Sequence, residues 1–432
     1  MSFEKSFCPS PWFHMRINNS GSYEYCRWMA HPEHTRVNFT NNLKHQTPDD
    51  YFQNTMAPVR QALLDGKSPD GCRECLVMEE HSKVSGRLRQ LLKVGVMQEH
   101  FEKSLASSPL RPDFDYSNHN QGHTLRSVTD WQIDLGNYCN GRCIFCGPES
   151  SSSLATEFKK IGLIDQLPLS SWCDDPALVD RFIQDLTASP NLQYLHFIGG
   201  ETVITPGFKS ILSALVNAGI AEHVTIGFTT NLTVWSDAVV DLLKHFKQVN
   251  LGMSVETLSP INDYVRYPAK HDQTLSLLDR WVDLGQSCGW LMQLRITPTC
   301  LTMHDLATVY EYAWQHNIAV ESCNFLYRPE YLRIGVLPEA QRQVASRRLL
   351  AWIDNHPVND TAQIVNTRDP NLAKAQIRQD AQSYLNYLSN AKDESYLLPS
   401  LINYLKLLEN NRNNSILDYL PEYEDLFRSA GY

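Results

Sequence analysis

The feature that most restricts how this chain can fold is an alternation, over residues 125–330, of short apolar runs with amphipathic stretches. The strand-like runs are Trp131–Leu135, Leu192–Ile198, His223–Phe228, Val249–Val255, Leu291–Ile296 and Ile318–Phe325. Between them apolar residues return at helical spacing, as with Leu178, Phe182, Ile183 and Leu186, and again with Phe208, Ile211, Leu212 and Leu215. Further helices fit residues 236–247, 273–285 and 303–316. Strands separated by helices pair in parallel through right-handed crossovers. The pattern therefore predicts an α/β fold, a partial (β/α)6 barrel over residues 125–335. In such folds chemistry gathers at the carboxyl ends of the strands.

The flanks read differently. Residues 1–95 hold four cysteines and little periodicity, as expected of a small metal-stapled module. Residues 96–124, with Ser108-Pro109, Arg111-Pro112 and Gln121-Gly122, read as a linker. Residues 336–432 predict a helical extension, with helices over 338–355, 371–388 and 397–410. A length of 432 residues is too great for one ordinary compact domain, and 42% hydrophobic against 20% charged residues excludes a disordered chain. The formal net charge of -10 argues against phosphate-driven binding of nucleic acid. No apolar run of signal-peptide length opens the sequence, and none approaches the ~18 residues of a membrane span, so a soluble cytoplasmic protein is expected.

The chain has 11 cysteines, an odd number that fits poorly with a disulfide framework. Seven fall into two sets. Cys139, Cys143 and Cys146 directly follow the first strand of the alternation. Three thiolates this close on a loop can hold three irons of an iron–sulfur cube and leave the fourth iron open. The alternative is a zinc knuckle completed by a distant His or Cys, although zinc favours Cys-x2-Cys pairs. The second set is Cys8, Cys26, Cys72 and Cys75, which could complete either a cube or a structural zinc site. Cys173, Cys288, Cys300 and Cys323 are scattered and carry no assignment, like most small buried thiols.

Cys139, Cys143 and Cys146, with Phe145 before the last, resemble the signature of the radical S-adenosylmethionine (SAM) enzymes. Gly199-Gly200-Glu201, at the end of the second strand, is similar to that family's motif for the SAM amino group. Asn231 ends the third strand. Ser254 and Glu256 end the fourth, at positions resembling ribose contacts, and Arg295 on the fifth could meet the SAM carboxylate. Each residue also has an ordinary reading. A doubled glycine can be a strand-ending turn, and an inward arginine needs an ion-pair partner. Thr202 and Glu256 depart from the family pattern, which commonly has Pro and Asp there. The resemblance implies a [4Fe–4S] cluster, SAM cleavage to a 5′-deoxyadenosyl radical, hydrogen abstraction from substrate, and an electron donor such as flavodoxin or ferredoxin.

The spacing Cys8…Gly21-x4-Cys26…Cys72-x2-Cys75 resembles the twitch and SPASM auxiliary modules of that superfamily, here at the amino terminus instead of after the barrel. It implies a second [4Fe–4S] cluster, with zinc as the alternative. His14, His31 and His34 lie near enough in sequence to replace a ligand. Tyr264 and Arg266 are candidate substrate contacts. Relatives with such modules often act on peptides or proteins, making cross-links, epimerising residues or oxidising side chains. The competing readings are oxidation or rearrangement of a small metabolite, and a non-catalytic iron–sulfur or zinc sensor or scaffold.

Overall fold

The computed structural model describes residues 3–27, 41–80, 85–322, 326, 328–358 and 369–432. His31, His34 and Cys323 lie outside the described residues. One sheet organises the chain. Its strands are β1 (His14–Ile17), β2 (Tyr23–Glu24), β3 (Asp130–Asp134), β4 (Tyr194–Ile198), β5 (Thr225–Thr230), β6 (Gln248–Ser254), β7 (Leu291–Arg295) and β8 (Ala319–Glu321). The order is β2-β1-β3-β4-β5-β6-β7-β8, with β2 antiparallel and every other neighbouring pair parallel. From β3 onward the spatial order follows chain order. Right-handed crossovers then place their helices on one face, and the sheet curls away from them as in a barrel.

The pleat explains which residues go where. Ile133, Leu195, Phe197, Ile226, Phe228, Leu251, Met253 and Leu294 join helix residues such as Phe182, Phe208, Ile211 and Trp281 in one large core. Their alternates, among them Asp130, Gln132, His196, Asn250 and Gln293, point to the other, inner face. Helices Ser152–Lys160, Pro176–Thr187, Pro206–Asn217, Asp237–Leu243, His271–Cys288 and Leu306–His316 follow the strands. At the β8 edge, the Gln376 side chain takes the place of a further strand, donating to Val320 O at 2.7 Å and accepting from Val320 N at 3.1 Å. An edge covered in this way offers no template for pairing with another chain.

The amino-terminal segment differs from expectation. It is not a separate module: β1 and β2 extend the barrel sheet, and the His14↔Asp130 to Ile17↔Ile133 register joins residue 14 to residue 130. These strands are only four and two residues long, too short for a period-2 signal. Residues 96–124 are not a bare linker either. Helices Phe101–Ala106 and Arg111–His119 pack Phe101, Leu105, Leu110 and Phe114 into a second core with Phe7, Trp12, Phe13 and Leu63. Buried Arg60 holds this layer to the rest, donating to the carbonyls of Gly122, Pro11, Phe52 and Gln53. At the other end, helices Glu339–Asn355, Pro370–Asn390 and Leu398–Arg412 pack on the main core.

Candidate functional site

The loop after β3 carries Cys139, Cys143 and Cys146, and neighbours from three parts of the chain fix its path. Arg142 N donates to Tyr267 O at 2.6 Å and Ile144 N to Val265 O at 2.9 Å. The Ser151 hydroxyl donates to Gly141 O at 2.5 Å and caps the helix Ser152–Lys160 by accepting from Leu154 N. From the last long helix, Tyr404 Oη donates to Ile144 O at 2.8 Å and Arg412 to Arg142 O at 2.8 Å. Arg412 also pairs with Glu157 at 2.6 Å, both side chains being 2% exposed or less. Arg142 and Arg412 both lie against the ring of Tyr267, 4.6 and 4.8 Å from its centroid.

The thiols face one another across this loop. A Cβ on Gly141 would stand 3.5 Å from Cys139 Sγ, 3.6 Å from Cys143 Sγ and 3.5 Å from Asn231 Nδ2, so a side chain there would fill the space the sulfurs share. The nearness of Cys146, with the Arg266 and Arg412 guanidiniums working against burial, holds the Cys143 thiol below its ordinary range. Burial pushes the Cys139 thiol up to about 11. Three soft ligands around a glycine-lined hollow, with cations at hand to offset negative charge, fit one corner of an iron–sulfur cube.

The Gly199-Gly200 pair lets β4 end hard against this loop. Gly199 has φ +131°, and a Cβ on it would lie 2.6 Å from Gly136 O. Gly200 N donates to Gly136 O at 2.7 Å and Glu201 N to Tyr138 O at 2.8 Å. The glycines thus serve backbone approach, the ordinary reading of such a pair, and in doing so set Glu201 beside Cys139. Glu201 is 1% exposed and accepts from Val203 N, the Thr230 hydroxyl and Asn231 N at 3.1, 2.9 and 2.6 Å. Burial nonetheless pushes its carboxyl up to about 7. The Asn231 amide reaches Asn140 at 3.0 Å and Cys139 Sγ at 3.9 Å.

Glu256 is equally buried, and both its oxygens are engaged, by Arg266 Nη1 at 2.6 Å and by Thr297 N at 2.6 Å. Burial raises it to about 7, with Arg266 the chief opposing influence. Arg266 also faces Cys143 and Cys146 electrostatically and sits 5.7 Å from the Phe145 ring. Ser254 is opposite Arg295 in the β6–β7 register. Arg295 pairs with Glu321 at 3.5 Å and turns back over Gly252, whose Cβ would meet Arg295 Nε at 2.9 Å. Tyr264 is a core residue bonded to Glu409 at 2.7 Å.

Cys8, Cys26, Cys72 and Cys75 line one cavity together with Tyr25 and Arg87. Burial pushes the Cys8 thiol up, and the nearby thiols of Cys26, Cys72 and Cys75 add to this by repulsion. His14 is not part of that cavity but bonds Asp130 at 2.9 Å on the inner face of the sheet. None of the described cysteines is disulfide-bonded. Among the described residues no three His, Cys, Asp or Glu side chains converge closely enough to hold a single metal ion. No described helix is long and apolar enough to cross a membrane.

Sequence reading missed Asn140, Arg142, Glu157, Tyr404 and Arg412. Arg142 lies between two of the cysteines and could have been flagged. Nothing local ties position 412 to position 157, since their link is tertiary.

Residues 133–312, less than half of the chain, match the family model of the Radical SAM superfamily. No curated protein sequence matches the chain significantly. Among solved structures, Streptococcus suis SuiB bound to precursor peptide SuiA aligns at 14% identity over 69% of this chain and 63% of that one, with a TM-score of 0.37. Native anSMEcpe with bound AdoMet aligns at 15% identity over 53% and 60%, also at 0.37. The radical S-adenosylmethionine methyltransferase TsrM from Kitasatospora setae aligns at 14% over 46% and 35%, at 0.33. The chain thus spans less than two thirds of the SuiB chain with which it aligns.

Proposed function

We propose that the chain is a radical SAM enzyme acting on a peptide or protein. The observation that carries this reading is the gathering of Cys139 and Cys143 around Gly141 at the carboxyl end of β3, with Cys146 beside Cys143 and Glu201 near Cys139 at the end of β4, inside the segment that matches the superfamily. When bound, a [4Fe–4S] cluster with SAM supplies a 5′-deoxyadenosyl radical that abstracts hydrogen. The chain's own share is to hold three irons through its thiolates and to offer Glu201 as acceptor for the SAM ammonium. Asn231 and Phe145 border that place. The engaged carboxylate of Glu256 holds Arg266 near the thiols, and that guanidinium offsets their negative charge.

The four amino-terminal thiols, lined up on one cavity, would hold a second cluster of the twitch type, with zinc the competing occupant. A fully ligated cube has no open iron, which suits it to passing electrons more than to binding substrate. A flavodoxin- or ferredoxin-type protein would supply the reducing electron. The peptide reading is tested by incubating the reduced, reconstituted protein with SAM and either deuterated peptide pools or deuterated metabolite pools. Deuterium in 5′-deoxyadenosine from peptides alone supports it. Deuterium from metabolites alone replaces it with small-molecule chemistry.

The raised carboxyl of Glu201 makes a pH prediction. It ionises only as pH rises through about 7, and an ammonium finds its counter-charge only then. SAM affinity measured by calorimetry should therefore fall about tenfold per unit as pH drops below 7. The share of the metal-free chain's stability that Glu201 and Glu256 contribute should run the other way. An acid whose folded pKa exceeds its ordinary value of 4.5 favours folding at low pH, and that advantage is lost as pH climbs through about 7. Wild type that fails to lose stability relative to Glu201→Gln as pH climbs from 5 to 8 would contradict this.

A further inference from the structure

On the inner face of the sheet, two glycines stand on adjacent strands, Gly227 on β5 and Gly252 on β6. Side chains from their neighbours lean over the space that each leaves. A Cβ on Gly227 would meet Tyr194 Oη at 2.5 Å and His196 Nδ1 at 2.6 Å, and one on Gly252 would meet Thr229 Oγ1 at 2.7 Å and Arg295 Nε at 2.9 Å. Adjacent strands are about 4.8 Å apart, so these groups form one polar patch. Asn250, opposite Gly227 in the register, belongs to it and interacts with Tyr194.

Two features of the patch describe what it would take. The charges around it are paired. Arg16 meets Glu24 at 3.3 Å and Asp134 at 3.4 Å, Asp130 meets His14, Arg27 and Lys93, and Arg295 meets Glu321. A charged ligand would have to compete with standing ion pairs. Several neutral atoms, by contrast, are buried without a hydrogen bond: Asn250 Oδ1, Thr229 Oγ1 and His14 Nε2. Buried polar atoms are normally satisfied, and each one left bare is costly. With Nδ1–H donated to Asp130, His14 Nε2 is an acceptor, as is Asn250 Oδ1, whereas the Thr229 hydroxyl both donates and accepts. The missing partner must bring both a donor and an acceptor, and no charge, as an amide N–H and C=O do.

We infer that this patch is the substrate floor and that it binds a neutral amide of the substrate, a backbone peptide unit or a carboxamide side chain. The inference rests on the radical SAM reading above and deepens it, placing the substrate on the sheet between the two thiol sites. The amino-terminal segment supplies part of the wall. Arg27, next to Cys26, reaches Asp130 at 3.2 Å, and Lys93 lies 5.6 Å from the Tyr194 ring centroid. A polyol would also bring donors and acceptors, and the test separates the two.

The test is calorimetric titration of the reconstituted, SAM-loaded protein with a blocked neutral hexapeptide rich in glycine and asparagine, and separately with maltohexaose. Expected is binding of the peptide, weakened about tenfold by Asn250→Ala and by the near-isosteric Thr229→Val. Circular dichroism checks folding, and Thr229→Val keeps the test alive if Asn250→Ala does not fold. Peptide binding indifferent to Thr229→Val, or binding of maltohexaose in place of the peptide, overturns the inference. SAM cleavage by wild type is read separately. Its absence sinks the enzyme reading, whereas intact cleavage with no peptide binding sinks only this one.

Discussion

Replacing Arg412 by methionine is expected to lower stability by roughly 3–5 kcal/mol and to loosen the cysteine loop, although position 412 is 266 residues beyond Cys146 in sequence. The guanidinium donates twice to Glu157, at 3.0 and 2.6 Å, and once to the carbonyl of Arg142 between the first two cysteines. Methionine would leave the Glu157 carboxylate, 1% exposed, with only Arg142 and Asn411 to answer it. An uncompensated buried charge is what makes such a break expensive. The thermal midpoint should fall by about 3–6 °C, and iron held after reconstitution should fall with it. The double variant Arg412→Met/Glu157→Gln removes both charges and should recover part of the midpoint. An unchanged midpoint and iron content in Arg412→Met would show that the last helix is not a support of the loop.

Gly200→Ala should be nearly silent for overall folding and severe for SAM. The added methyl would stand 2.5 Å from the carbonyl carbon of Tyr138 and 2.9 Å from that of Asn137, both backbone atoms of the strand-to-cysteine loop. Backbone cannot swing aside as a flexible side chain can, so the loop and the β4 end must part. The bonds that seat Glu201 beside Cys139 would go with them. A SAM affinity at least a hundredfold weaker is expected, with far-ultraviolet circular dichroism close to wild type. Gly219→Ala is the control. It carries the backbone strain of a positive φ, +70°, which Gly200 lacks, but its Cβ meets nothing within 4 Å. Its effect should be confined to a modest loss of stability.

How much of this was legible beforehand divides along a physical line. Strands β3 to β7 were visible because their apolar alternates face a helix layer, and that burial writes a period into the sequence. The cysteines and Gly199-Gly200-Glu201 were visible because loop chemistry needs particular residue types at close spacing. The partners of those residues were not. Arg266 could be noticed as a charge after β6, but its seat between Glu256 and the thiols of Cys143 and Cys146 is a product of folding. Arg295 could likewise be noticed as an inward charge in need of a partner, but that it leans over Gly252 and pairs with Glu321 is a product of folding. The strands β1 and β2 escaped notice because two to four residues carry no period, and their place beside β3 is set by pairing across more than a hundred residues of chain.

The most direct test of the central claim is SAM cleavage by the anaerobically reconstituted, reduced protein, read with its iron and sulfide content. Wild type is compared with Cys139→Ala/Cys143→Ala/Cys146→Ala. The account predicts 5′-deoxyadenosine from wild type and none from the triple variant, with iron falling from about eight per chain to about four, or from about four to none if the amino-terminal thiols hold zinc. Wild type that binds iron yet releases no 5′-deoxyadenosine, with peptide and metabolite mixtures present, would contradict it and leave a non-catalytic metal protein in its place.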